Sequence, residues 1–288
     1  MTAPGEAADT QTPAAQRPLI SYVQPGDSSL RAALIGTVER LTGRPRLQAI
    51  YDRLKQRDFS AAHFFGDALA QAGIRYRYRS GDEAGIPREG PLILIANHPF
   101  GVVDGLILCD IATRCRGDFR ILIHALLCRD RDLEPFFLPI DFRDSAQALQ
   151  TNVRSKRAAL ATLRDAGTLL VFPGGGIATR RRGGFGNLAD LPWSTFVAKL
   201  VKQSGATVVP LFFHGSNSRL FHVASSVSPS LRASLLLHEA RNKLGRSFEV
   251  SVGSALPPAA TAHLDRRALT RWLHARTWEM AAAQRRGA

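Results

Sequence analysis

The sequence predicts an α/β fold: a mostly parallel central sheet with flanking helices, preceded by an N-terminal helical segment. Apolar runs of strand length recur through the middle of the chain, each closed by a polar or glycine-containing turn. Segments with apolar residues at helical spacing separate these runs, and a β-α-β-α-β-α-β order favours parallel pairing with helices on the sheet faces. Upstream of the first run only helical spacing occurs.

From Asp27 to Gly73 the pattern is helical. Leu30, Ala33, Leu34, Val38 and Leu41 recur at helical spacing, and Gly43-Arg44-Pro45 closes that segment. A second helix follows through Leu47, Ile50, Tyr51 and Leu54. A third, over 60–72, carries Phe64, Phe65, Ala68 and Leu69 on one face, with Gly73 as its C-terminal glycine. Ile74-Arg75-Tyr76-Arg77-Tyr78 alternates with period two, a half-exposed strand. Leu92 to Ala96 is a buried strand, 105–115 a helix, 119–124 another buried strand and 136–140 a short apolar run. A long helix over 146–165, a strand over 168–172 and a helix over 193–203 lead to the strand 207–213. Pro210 within that strand marks an edge position or a bulge. A helical stretch over 217–242, a strand over 248–252 and a last helix over 265–284 complete the chain. Leu269, Trp272, Leu273 and Met280 share one side of the last helix, a stripe that packs on its own domain more often than on a membrane.

Residues 1–27 are expected to be a disordered tail. Met1 to Pro18 is rich in Ala, Thr, Pro and Gln, lacks apolar periodicity, and has no hydrophobic segment of a secretory signal. The remaining 28–288 is expected to form a single domain: N-terminal helices over 28–73, an α/β core over 74–256 and a C-terminal helix over 257–288. No apolar run reaches the length of a membrane-spanning helix. Cys109, Cys115 and Cys128 form no C-x-x-C pair, which argues for buried thiols in a reduced compartment and against a disulfide framework or a zinc site. The formal net charge of +14 comes mostly from arginine and favours an anionic partner: nucleic acid, anionic lipid headgroups or acidic carriers.

Four motifs carry chemistry, each beyond an apolar run. In Asn97-His98-Pro99-Phe100-Gly101-Val102-Val103-Asp104-Gly105, His98 is a candidate general base. Asp104 is suited to fix its tautomer, and Asn97 to hold the turn through its side chain. No serine or cysteine nucleophile lies in the turn, so the pair suits activation of a hydroxyl brought by a substrate. Spacing alone leaves this level with a turn histidine followed by a helix-capping aspartate. In Phe172-Pro173-Gly174-Gly175-Gly176, the glycines let backbone N–H groups form an anion-binding nest. Arg180, Arg181 and Arg182 follow; the plainer alternative is a flexible loop with a solvated charge run. In Pro139-Ile140-Asp141-Phe142-Arg143, Arg143 is a candidate anion clamp, or else pairs with Asp141 or Asp144 at the surface. His214, in Val209-Pro210-Leu211-Phe212-Phe213-His214-Gly215-Ser216-Asn217-Ser218, is better read as a satisfied strand-end histidine than as a metal ligand with His98 and His124.

Together and in this order, these blocks over 28–256 resemble the glycerolipid (lysophospholipid) acyltransferase superfamily. They are most similar to its hemolysin-like branch, related to the lyso-ornithine-lipid O-acyltransferases. Thr42-Gly43-Arg44-Pro45-Arg46 and His214 to Phe221 resemble that branch as well. The first block has H-x5-D where the superfamily usually has H-x4-D, a spacing shared with that branch. Gly174 stands where the usual third block has glutamate, which bears on the identity of the acceptor. The resemblance implies transfer of a fatty acyl group from an acyl carrier protein or coenzyme A thioester to a lysolipid hydroxyl. His98 would be the general base and Asp104 its orienting partner. Asn97, Arg143, Phe172, Pro173, Gly174, Gly175 and Gly176 would line the substrates. It implies no metal and no cofactor beyond the thioester co-substrate, no nucleic acid, and a cytoplasmic protein peripherally bound to the anionic inner face of the cell membrane. A thioesterase using the same dyad on water, and a non-catalytic lipid- or nucleic-acid-binding protein, are the alternatives.

Overall fold

A computed structural model of the chain describes residues 20, 21, 23, 28–56, 59–180, 185–227 and 229–282. Helices α1 (Ser29–Thr42), α2 (Arg44–Gln56) and α3 (Phe64–Gln71) come first. Strand β1 (Arg75–Ser80) and strand β2 (Leu92–Ala96) lead into α4 (Val102–Arg116), β3 (Arg120–His124), β4 (Phe137–Ile140), α5 (Ala146–Arg164) and β5 (Thr168–Val171). A small hairpin of β6 (Thr179–Arg180) and β7 (Leu188–Ala189) precedes α6 (Phe196–Ser204) and β8 (Thr207–His214). Then come α7 (Arg219–Val227), α8 (Pro229–Ser234), α9 (Leu236–Asn242), β9 (Ser247–Val252), α10 (Pro258–Thr261) and α11 (Arg266–Ala282).

Seven strands form one sheet in the order β1-β9-β8-β2-β5-β3-β4. All neighbours pair parallel except β8 and β9, so β4, β3, β5, β2 and β8 run one way and β9 and β1 the other. The mostly parallel α/β fold is therefore what forms. Its centre is β2, whose five apolar residues are all buried. Alternation along the strand sends Leu92, Leu94 and Ala96 into a core with α3 and α4, and Ile93 and Ile95 into a second core with α5, α6 and α11. Burying each of these Leu and Ile side chains contributes about 1.5–3 kcal/mol. Leu269 and Leu273 of α11 lie in that second core, so the last helix does pack on its own domain.

Several expectations change. The helical stretch 217–242 forms as three helices, and Pro229 opens the second of them, where a missing N–H costs nothing. The apolar stripe expected to bury α1 points outward: Leu30, Leu34 and Leu41 are exposed, while Ile35 and Glu39 face in. Just after this helix Gly43 lies tight against α9, where a Cβ would fall 2.5 Å from the Leu237 carbonyl. Pro210 is not at an edge, since β8 lies between β9 and β2. It sits at a one-residue slip instead: Leu211 faces Val252 but Val208 bridges to Leu256, so the bulge reading is the one that fits. Of the stretch 1–27, residues 20, 21 and 23 are described. Ser21 is buried with its hydroxyl donating to Glu39 at 2.7 Å, and Arg129 donates to the Val23 carbonyl at 3.0 Å. The rest of that stretch lies outside the described residues, as do Arg181 and Arg182.

Candidate active site

The carboxyl ends of β2, β5, β4 and β8 share one edge of the sheet, the side on which α/β folds place ligands. All four chemical motifs therefore meet at this edge. His98 follows β2 by two residues. Its turn depends on Gly101, whose φ of +83° is left-handed and where a Cβ would strike the Ile177 side chain at 2.8 Å. That turn starts α4 and brings Asp104, in the first helical turn, back to His98.

The two side chains approach at 2.9 Å, His98 Nδ1 against Asp104 Oδ1. The contact is a close approach without good hydrogen-bond alignment. Asp104 is fully buried, and the His98 side chain keeps 19% of its surface. The other carboxylate oxygen, Oδ2, accepts the Phe100 N–H at 2.8 Å. With Nδ1 on Asp104, the Nε2 atom is left without a hydrogen-bond partner among the described residues. Phe172 stacks on the imidazole, centroids 4.0 Å apart and planes 26° off parallel, which fixes the plane of the ring.

Asp190 is the site residue that sequence reasoning missed. It accepts the His98 backbone N–H at 3.2 Å and the indole N–H groups of Trp193 at 3.0 Å and Trp278 at 3.3 Å. Burial pushes its carboxyl up, and the three donors pull it back. No motif flags it. It lies beyond a two-residue strand, and its donors are one backbone group and two tryptophans from separate segments. Gly174 explains its position: a Cβ there would sit 3.3 Å from the Asp190 Cβ and 3.1 Å from the Leu191 carbonyl. A side chain at 174 would press on both, so Asp190 and Leu191 would have to shift by a few tenths of an ångström to admit one.

The remaining expected residues divide. Phe172 reaches the dyad. Pro173 is buried beneath the loop, its carbonyl accepting Ser194 N–H at 3.4 Å. The Gly175 N–H is already used by the Phe172 carbonyl at 2.9 Å, which removes it as a ligand donor. No backbone hydrogen bond engages Gly174 or Gly176 N–H among the described residues, so those two remain available. Asn97 does not face the site. It is fully buried, and its carboxamide replaces a sheet partner by donating to the Phe213 carbonyl at 3.0 Å and accepting the Phe213 N–H at 2.7 Å. Its reading as a substrate contact gives way to that of a clamp between β2 and β8. Arg143 lies in the loop beyond β4 and forks onto Asp141, with Nε and Nη2 contacts of 3.0 and 2.6 Å. Those bonds hold the Asp141 carboxyl down at about 2. The surface pair is thus formed, while nearly half of the Arg143 side chain remains exposed. His214 bonds Ser251 at 2.8 Å, as a satisfied strand-end histidine does. Cys109 and Cys115 are buried free thiols, and burial pushes the partly buried Cys128 up to about 12.

No helix among the described residues is long and apolar enough to cross a membrane. The chain is 29% identical over 180 residues to a lyso-glycine lipid O-acyltransferase of Phocaeicola vulgatus, covering 60% of this chain and 61% of that one. It is 28% identical over 183 residues to a protein of the same name from Bacteroides thetaiotaomicron, covering 60% and 63%. The match thus spans about three fifths of those relatives. Among solved structures, the 1-acyl-sn-glycerophosphate (LPA) acyltransferase PlsC from Thermotoga maritima shares the fold. Its TM-score is 0.51 and its sequence 14% identical, with 90% of each chain covered. The sequence model of the family described as Acyltransferase matches residues 50–247. With the four blocks of that span gathered at one sheet edge, the chain belongs to the acyltransferase family.

Proposed function

We propose that the protein is an O-acyltransferase moving a fatty acyl group from an acyl thioester, on acyl carrier protein or coenzyme A, to the hydroxyl of a lysolipid in membrane lipid synthesis. The observation that carries this reading is the His98–Asp104 pair, with Nδ1 2.9 Å from the carboxylate and Nε2 unpartnered among the described residues, beside the third-block loop. Nε2 takes the hydroxyl proton as the oxygen attacks the thioester carbonyl. The tetrahedral intermediate collapses, the C–S bond breaks, and the thiolate takes the proton back from His98. Asp104 stabilises the imidazolium in between. The N–H groups of Gly174 and Gly176 are the nearby candidates for the oxyanion. No nucleophile on the protein is needed. An amino-acid lysolipid acceptor, glycine- or ornithine-type, is favoured over lysophosphatidic acid by the names of the two relatives and by Gly174.

Association with a membrane surface is part of the proposal. Exposed Phe142, Leu149, Phe185 and Leu220 all follow carboxyl ends of strands around the site, and α1 turns Leu30, Leu34 and Leu41 outward. The +14 charge suits an anionic bilayer. The direct test incubates the protein with a labelled acyl thioester and lyso-glycine lipid, and separates the ester from free fatty acid. Acceptor-dependent ester supports the reading. Free fatty acid formed at a rate indifferent to acceptor would make the protein a thioesterase.

A further inference from the structure

The segment beyond β8 has no part in the dyad, yet it is built around it. Gly215 has a φ of +118°, and a Cβ there would lie 2.8 Å from the Phe100 ring. Phe100 packs edge-on against Phe248, centroids 5.0 Å apart. Above these rings lies a cavity of about 180 Å³, walled further by Ser216, Glu239, Lys243 and Arg246. Lys243 and Glu239 are both buried, which costs several kcal/mol per charge unless their bonds are satisfied. For Glu239 they are: its carboxylate accepts the Ser218 N–H at 3.1 Å, the Ser218 hydroxyl and the Lys243 ammonium at 2.9 Å. Lys243 makes one more bond, to the Glu239 carbonyl at 3.1 Å. Its third N–H has no partner among the described residues, and Nζ stands 5.5 Å from the Phe100 ring centroid. The Arg246 guanidinium is likewise without a hydrogen bond or ion pair among the described residues. The Ser216 oxygen accepts from Arg180 at 3.3 Å, which leaves its hydroxyl proton to donate.

The cavity therefore offers unused donors and one uncompensated positive charge, since Glu239 already balances Lys243. That balance fits a monoanion better than a phosphate dianion. The Arg246 fork matches the two oxygens of a carboxylate, and the two aromatic rings suit the carbon chain beside it. Phe100 links this cavity to the dyad, its N–H held by Asp104. We propose that the cavity binds the carboxylate of an amino-acid headgroup on the acceptor lysolipid, between the Lys243 ammonium and the Arg246 guanidinium. The headgroup assignment rests on the acyltransferase reading; the carboxylate site itself does not.

Two measurements test it. In neutral detergent micelles, acylation of lyso-glycine lipid is compared with that of its methyl ester in wild type and Arg246→Ala, an exposed position where folding is not at issue. The expected result is a KM for the acid about tenfold higher in Arg246→Ala with kcat within twofold. A similar penalty is expected for the ester in wild type, with no further loss when both changes are combined. An unchanged KM, an equal added loss on acid and ester, or better use of lysophosphatidic acid than of lyso-glycine lipid overturns the proposal. Separately, NMR titration with N-acetylglycine should show binding that Arg246→Ala weakens and inorganic phosphate displaces poorly. Absence of binding in wild type, or tighter binding of phosphate, overturns the carboxylate site whatever the enzyme assay shows. Thioester hydrolysis without any acceptor use would contradict the acyltransferase reading and leave the titration to decide the cavity.

Discussion

Asp104 meets His98 Nδ1 at 2.9 Å with one carboxylate oxygen and holds the Phe100 N–H at 2.8 Å with the other, so a single carboxylate reaches both the imidazole and the backbone that enters its own helix. The contact that the proposed general-base role needs is present, whereas the N-cap position expected for this aspartate is held by Gly101 and Asp104 lies in the first turn. Asp104→Asn keeps an acceptor for Phe100 but cannot stabilise the imidazolium. A fall in kcat of about 100- to 10,000-fold is expected, with a melting temperature close to wild type. A variant within tenfold of wild-type kcat would show that His98 needs no carboxylate.

Asp190 fixes the backbone of His98 and ties it to Trp193 and Trp278. Asp190→Ala leaves those donors without their acceptor, at a cost of about 1–3 kcal/mol for each buried group left unpaired. It should also lower kcat more than it raises KM, with partial recovery in Asp190→Asn. Lower stability with both kinetic constants unchanged would make Asp190 a structural residue only.

Asn97 predicts a purely structural phenotype. Asn97→Ala strands both the Phe213 N–H and C=O in the core, again at about 1–3 kcal/mol each. The urea midpoint should fall, and KM for either substrate should hold in the folded fraction. A selective rise in acceptor KM at unchanged stability would restore the substrate-binding reading.

The Asp141–Arg143 pair gives an acid-dependent signature. The Arg143 guanidinium holds the Asp141 carboxyl at about 2, below the roughly 3.9 of a free aspartate. A depressed carboxyl stabilises the fold above the unfolded value and loses that contribution as pH falls through the folded one. The stability gap between wild type and Arg143→Gln should be constant above about pH 5 and close as pH approaches 2. Urea unfolding across that range measures it, and a gap that persists at pH 2 would mean the pair acts through packing.

Much of the fold was legible because strand identity lies in local composition. Leu92 to Ala96 is wholly apolar and is the central strand, and the blocks that follow the parallel strands mark the site edge. What was not legible depends on partners distant in sequence. The buried face of α1 follows its packing on α8 and α9, with Gly43 tight against Leu237, and not where its leucines fall. Pro210 entered an interior strand because the chain opposite it slips by one residue. Asp190 and the Lys243 cavity join side chains from separate loops and helices, which no spacing rule connects. Asn97 stands out in its motif, but the sequence could not say that its carboxamide turns into the sheet rather than toward a ligand.

The central claim is that Nε2 of His98 removes the proton from the acceptor hydroxyl. The most direct measurement is the single-turnover rate of ester formation from a labelled acyl thioester and lyso-glycine lipid, for wild type and His98→Ala matched in circular dichroism and melting temperature. Loss of ester formation by about 100-fold or more in the variant, with vesicle binding unchanged, is the predicted result. Ester formed by His98→Ala at a rate near that of wild type would contradict the account.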